Sequence, residues 1–248
     1  MNPLVAAARR MSYLAWHRRV RAGFERTDAC RLLGLDLLIA PGVLHPRHFA
    51  SSLLLARYLA GLSLRGASVA DVGTGSGLLG LVAAREGATV VAVDIDPVAV
   101  ACALGNARRN GLEERMSVLE SDVFDRVSTG LRFDLVVTNP PFYPRAPERP
   151  LDRAFAAGAG NEFFSKLAES LPHRLADQGA LVLIQSSDVD FAPIAGMLES
   201  RGLTERVVLE RRGLFETLTI REFRTRSRGS QTKDRPGARG GDPERTGP

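Results

Sequence analysis

Asn139-Pro140-Pro141-Phe142 is the stretch whose residue types most directly suggest chemistry. Asn139 offers a side-chain carbonyl and Pro140 a backbone carbonyl. The two prolines fix φ and have no N–H to donate. Each also pushes the residue before it out of the helical region, so the turn is stiff and extended. Such a corner can take the two N–H bonds of a planar –NH2 group, one on each carbonyl, with Phe142 as a stacking wall. Asn139, Pro140, Pro141 and Phe142 are therefore the candidate substrate-binding residues. Asn139, Pro140 and Phe142 are the candidate catalytic ones.

A second group lies upstream. Asp71-Val72-Gly73-Thr74-Gly75-Ser76-Gly77 has glycines at alternate positions, G-x-G-x-G, which differs from the dinucleotide pattern G-x-G-x-x-G. Glycines let a backbone approach a ligand closely at the carboxyl end of a first strand, where open α/β sheets bind nucleotides. Asp94 ends the next apolar run and is placed to take both hydroxyls of a ribose. Asp122 ends the third run and can accept the amino group of an adenine. A glycine turn alone is weak evidence. Acids at successive strand ends beside it are hard to obtain by accident.

The elements that must position these groups alternate. Ser68–Val72 reads as a strand, Leu78–Arg85 as a helix, and Ala88–Val93 as a strand. Pro97 opens a helix to Arg109, closed by Asn110-Gly111. Ser117–Glu120 is a short strand, and Leu135–Thr138 runs into Asn139. Asn161–Ala176 is a helix stopped by Gly179, then Ala180–Gln185 a strand and Val189–Arg201 a helix. Thr204–Glu210 and Phe215–Phe223 are strands with no helix between them, so they pair antiparallel. The expected fold is a Rossmann-like α/β domain with a seven-stranded, mainly parallel sheet, helices on both faces and an antiparallel C-terminal strand. Upstream, 4–20 suits a short helix and Leu32–Ile39 a single strand. Leu53–Leu62 reads as a helix with Ser51 or Ser52 as its N-cap. The chain thus divides into 1–41, a helical or extended segment, 42–224, the main domain, and 225–248, a basic tail without apolar residues to fold around.

Composition narrows the classes. The 248 residues suit one large α/β domain, and 44% hydrophobic content supports a core. The net charge of +5 sits at the ends. Residues 1–40 hold seven Arg against three acids, and 225–248 six basic groups against three. The middle is therefore slightly acidic, and the basic ends are either solvated or reach nucleic acid. Cys30 and Cys102 lack metal-type spacing and read as buried thiols. His45 and His48 have no Cys or acidic neighbour in sequence, and no metal site is expected. No apolar run is long enough to span a membrane. The first residues lack a signal-peptide core, so a cytoplasmic location is expected.

The run Asp71–Gly77, with Asp94, Asp122 and Asn139-Pro-Pro-Phe142 in that order, resembles class I S-adenosylmethionine-dependent methyltransferases over roughly 42–223. Asn-Pro-Pro-aromatic is similar to the motif of enzymes that methylate planar nitrogens. Within that group the chain looks most like the HemK/PrmC release-factor glutamine methyltransferases, in their short archaeal and eukaryotic branch. Three features carry this. A large N-terminal helical domain is missing, Asp152–Asn161 resembles the branch's glycine-containing segment after the turn, and Glu216–Phe223 resembles its closing Glu-Thr-Leu strand. The chain departs from the family at His45–Ser51, which lacks an acidic pair and has Ser51 in place of a Thr. It departs again at Phe142, where a Tyr is usual, and at Ala159, where a Gly is usual.

The resemblance implies S-adenosyl-L-methionine as cofactor, held by Asp71, Gly73, Thr74, Gly75, Gly77, Asp94, Ile95, Asp122, Val123 and Asn139. It implies a protein glutamine in a translation factor as substrate, and a small activating subunit known from the short branch. An RNA or DNA base amine, adenine N6 or guanine N2, is the alternative substrate and would need an unstacked nucleotide. A non-catalytic module of the same fold is a further alternative. The acids and the Asn-Pro-Pro turn argue against it, since a dead module need not keep both. A basic groove near Asn139 would favour nucleic acid, and an apolar, acidic one a protein loop.

Overall fold

Alternation along the strands sorts the apolar side chains of the computed structural model into two cores, on opposite faces of one sheet. The structure describes residues 24–142, 146, 156–213 and 216–225. The helix expected over 4–20, positions 152–155 of the post-turn segment, Phe215 and the tail beyond 225 lie outside these residues. The elements are β1 Asp28–Leu32, β2 Leu35–Ile39, a 3-10 turn Pro46–His48, α1 Ala50–Ala60, β3 Ser68–Val72, α2 Leu78–Arg85 and β4 Thr89–Asp94. They continue with α3 Pro97–Arg109, β5 Met116–Glu120, β6 Phe133–Thr138, α4 Glu162–Arg174, β7 Leu175–Ser186, α5 Ala192–Ser200, β8 Leu203–Arg212 and β9 Thr217–Thr225.

The seven-stranded sheet has the order β5-β4-β3-β6-β7-β9-β8. Its ladders are parallel except those of β9, which pairs antiparallel with β7 and β8. This is the expected Rossmann-like architecture. Successive residues of a strand face opposite ways. Val69, Leu135, Val137 and Val182 accordingly join one core with Leu55 and Leu59 of α1, Leu81 of α2 and Ala103 of α3. Ala70, Val136 and Leu183 join the other with Phe164 and Leu167 of α4 and Leu198 of α5. Both faces are covered, which is why the central strands are apolar on both sides. The strand order reverses between β3 and β6, and the carboxyl ends there open a crevice.

Four local expectations are corrected. Leu32–Ile39 is not one strand: β1 and β2 form a hairpin turning at Leu33 (φ 52°) and Gly34 (φ 81°). Two positive φ values are what a tight two-residue turn requires, and Leu33 gives no sequence sign of one. The hairpin belongs to the main body, since Leu35, Leu37 and Ile39 are buried in the first core. Helix α1 begins at Ala50 after Phe49, so neither Ser51 nor Ser52 caps it. Gly179 does not stop α4, which ends at Arg174, but sits within β7. There the register with β6 shifts, and a Cβ at Gly179 would meet Phe133 O at 2.6 Å. Finally, α5 starts at Ala192 rather than Val189.

Two asparagines one turn apart on and just after α3 dock the hairpin. Asn106 Nδ2 donates to Leu38 O (3.1 Å) and Ser76 O (2.9 Å), while its Oδ1 accepts from Leu38 N–H (2.8 Å). Asn110 repeats the pattern on Asp36, accepting from its N–H and donating to its O. Asn106 is 1% exposed, so its partners have no water to fall back on. Asn106→Leu is expected to lower stability by about 2–4 kcal/mol by stranding these groups, and Asn110→Ala, at the exposed end, by about 1 kcal/mol. Urea unfolding of both variants checks the order. Equal small losses would show that the hairpin is held by packing alone.

Candidate active site

The carboxyl ends of β3, β4 and β6 and the turn after β5 meet in one cleft. Its lining includes Gly73, Thr74, Gly75, Asp94, Ile95, Asp122, Val123, Asn139 and Pro141 from the sequence-derived set. Asp71, Gly77, Pro140 and Phe142 are not in the lining. Asp71 stands behind the glycine loop, Gly77 ends that loop against Ala103 of α3, Pro140 is buried, and Phe142 packs against the first core.

Gly73, Gly75 and Gly77 have φ of 72°, 55° and 86°. Alternate left-handed residues are the reason for the G-x-G-x-G spacing, because side chains rarely adopt that region. A Cβ at Gly73 or Gly75 would meet nothing within 4 Å, so the space above the loop is open to a ligand.

Asp71 holds this loop from below. It is fully buried, and its Oδ2 accepts from Thr74 Oγ1 (2.6 Å) and Gly80 N–H (2.9 Å). Its Oδ1 has no partner. Burial raises its pKa to about 6, against the pull of those two hydrogen bonds. Gly80 was not singled out in the sequence. A Cβ there would lie 3.2 Å from Asp71 Oδ2 and 2.8 Å from Met116 Cε, so a larger residue would have to displace the Met116 side chain and crowd the carboxylate. Its one visible sign is a glycine inside an otherwise apolar helix.

Asp94 closes the loop from the side. Its Oδ2 accepts from Gly75 N–H (2.8 Å) and its Oδ1 from Asp96 N–H (3.0 Å). Burial raises its pKa, and these N–H groups oppose the rise. Asp122 lies two residues past β5, where Lys166 Nζ of α4 donates to its Oδ2 (2.5 Å) and also to Asp125. Burial pulls the Lys166 pKa down, but the hydrogen bonds to the two acids win and raise it. Val123 has φ 51°, which is strained for a β-branched residue, and it is buried at the cleft wall. Lys166 and Phe163, which also lines the cleft, had no sign in the sequence.

Asn139 Nδ2 donates to Ser52 Oγ (3.0 Å), and its Oδ1 is buried without a partner. An unpaired buried acceptor is costly unless something occupies it in the working state. Away from the cleft, His45 Nδ1 accepts from Arg47 N–H, and its ring lies 4.9 Å from that of His48. Among the described residues no group of three or more His, Cys, Asp or Glu could hold a metal ion. Cys30 and Cys102 are buried, free thiols. No described helix is long and apolar enough to cross a membrane.

Sheet order, glycine loop and strand-end acids define a class I methyltransferase fold with a nucleoside-binding crevice. The chain belongs to the Methyltransferase small domain family, whose model matches residues 36–213. It is 31% identical over 193 residues to a putative protein N5-glutamine methyltransferase of Methanocaldococcus jannaschii, covering 75% of this chain and 94% of that relative. It is 37% identical over 196 residues to a release factor glutamine methyltransferase of Rhodospirillum rubrum, covering 72% of this chain and 59% of the relative. Among solved structures it is similar to the T. thermophilus 16S rRNA N2 G1207 methyltransferase in complex with AdoMet and guanosine. That match has a TM-score of 0.62 and 27% identity, over 81% of this chain and 50% of the other. The fold also matches the E. cuniculi Mtq2-Trm112 complex, with a TM-score of 0.51 and 23% identity over 72% and 96% of the two chains. The protein is an S-adenosylmethionine-dependent methyltransferase. The open space over Gly73 and Gly75 and the acids around it fit that cofactor.

Two outcomes test this site. An acid whose folded pKa exceeds its unfolded value binds more protons when folded, so stability falls as pH rises between the two values. For Asp71 that window runs from 3.8 to about 6. Wild type should lose on the order of 3 kcal/mol relative to Asp71→Asn across it, read by urea unfolding at several pH values. Parallel pH curves would show that Asp71 does not titrate there. Asp94→Ala should weaken S-adenosylmethionine binding by about 1.5–3 kcal/mol, the scale for hydrogen bonds to a charged group. Calorimetry with unchanged affinity in the folded variant would remove Asp94 from the cofactor site.

Proposed function

We propose that this enzyme methylates the side-chain amide nitrogen of a glutamine in a translation factor such as a peptide-chain release factor. The carrying observation is the unpaired Oδ1 of Asn139, a buried acceptor at the end of β6 beside the cofactor cleft. An amide nitrogen is a poor nucleophile because its lone pair is delocalised into the carbonyl. Two acceptors, Asn139 Oδ1 and the Pro140 carbonyl, would hold its two N–H bonds and turn the lone pair toward the cofactor. Both stabilise positive charge growing on that nitrogen. When bound, the cofactor supplies an electrophilic methyl group on a sulfonium. The protein's part is alignment and electrostatics rather than strong base catalysis.

The character of the cleft supports a protein substrate. Among the described residues its lining holds Asp94, Asp96 and Asp122 and no Arg or Lys. The segment leading to Ser52 contributes Gly42, Val43, Leu44 and Pro46, all uncharged. A nucleic-acid groove draws most of its affinity from basic groups on phosphates. The relatives named for glutamine methylation point the same way. The likeness to an rRNA guanine N2 enzyme supports a base amine as the second reading, because such an amine offers the same planar N–H pair. A small activating subunit, as in the Mtq2-Trm112 complex, fits the proposal as a partner.

Radiolabelled S-adenosylmethionine incubated with the enzyme and cell extract should give label that protease removes and nuclease spares. Mass mapping should place one added methyl on a glutamine. Nuclease-sensitive label would overturn the protein reading. Asn139→Ala should keep cofactor affinity within about twofold while transfer falls on the order of 100-fold. A stable variant with near wild-type transfer would sink the mechanism.

A further inference from the structure

We infer that Ser52 is a positioning residue: its hydroxyl pins the Asn139 side chain in the rotamer that brings Oδ1 to the substrate nitrogen. The inference rests on the methyl-transfer reading of Asn139 and adds to it the contact that holds this side chain in place. Ser52 lies in the first turn of α1 and Asn139 at the end of β6, 87 residues apart in sequence. Both line the cleft. Oδ1 and Nδ2 of an asparagine are nearly the same size, so packing alone distinguishes them poorly. Rotation about the last torsion exchanges an acceptor for a donor. With Nδ2 presented, the site would oppose its own N–H groups to those of the substrate. The 3.0 Å bond from Nδ2 to Ser52 Oγ uses the donor end and leaves Oδ1 as the buried, unpaired group.

Ser52 is free for this role because it does not cap α1, whose cap residue is Phe49. A first-turn serine normally spends its hydroxyl on the helix's own backbone. Here its one hydrogen-bond partner shown is Asn139, on another element. The 3-10 turn Pro46–His48 fixes the entry of α1 and so the position of Ser52.

The test is a double-mutant cycle on transfer from radiolabelled S-adenosylmethionine to total cell extract, with melting temperature and cofactor affinity measured on each variant. Total extract keeps the readout independent of which polymer is methylated. Ser52→Ala should cut turnover about 10-fold or more, the scale of a small misplacement at a reacting centre, with cofactor affinity unchanged. Ser52→Thr, which keeps the hydroxyl, should regain most of it. In the Asn139→Ala background Ser52→Ala should have little further effect, because the two act as one unit. Near wild-type turnover for Ser52→Ala, with Asn139→Ala crippled, overturns the inference and leaves the reading of Asn139 standing. Additive losses also overturn it, as does a lower melting temperature with normal turnover per folded molecule. If Asn139→Ala itself transfers normally, the reading of Asn139 falls and this inference with it.

Discussion

The buried carboxylate of Asp71 is the constraint on which the site depends. One oxygen, Oδ2, ties the loop through Thr74 to the start of α2 through the Gly80 N–H. A carboxylate with no water around it is costly, as its raised pKa shows. What it secures is a loop of three left-handed glycines that no local propensity would hold in one shape. Asp94 completes the frame by taking the Gly75 N–H from the next strand. Asn106 links the same loop, through Ser76 O, to the β1–β2 hairpin. Cofactor loop, helix α2 and the N-terminal hairpin therefore share one hydrogen-bonded frame, and loosening any of them disturbs the others.

Much of this was legible in the chain. Strand-then-glycine-then-helix patterns gave the sheet and its connections because local periodicity and turn chemistry agree there. Asp71, Asp94, Asp122 and Asn139 stood out because each polar residue interrupts or ends an apolar run. What was hidden depends on contacts between distant residues. Leu33 turns a hairpin that its side chain disfavours, because the apolar positions on both strands must face the same core. Lys166 meets Asp122 from 44 residues away, and Ser52 meets Asn139 from 87. No local pattern marks such pairs. Phe142 and Phe163 are set by packing rather than by local pattern. An aromatic after Asn-Pro-Pro suggests a stacking wall; Phe142 is partly buried against the first core, and Phe163 of α4 lines the cleft.

The cleft is divided by charge and burial. Acids gather on the side of β4 and β5. Among the described residues, the lining contributed by the segment before α1, Pro141 and Phe163 is uncharged. A low-dielectric wall beside fixed acceptors strengthens their hold on an N–H donor.

The Asn-Pro-Pro turn follows from the same physics. An ordinary turn at a strand end exposes both N–H and C=O groups, and so accepts donors and acceptors alike. Here the two prolines delete the N–H groups at 140 and 141. Ser52 takes up the donor end of Asn139. The turn itself is therefore poor in N–H donors, while the Ser52 hydroxyl beside it keeps an O–H. On the proposed reading, a planar –NH2 would bring its hydrogens to the acceptors there. The prolines remove backbone donors, and Ser52 occupies a side-chain one.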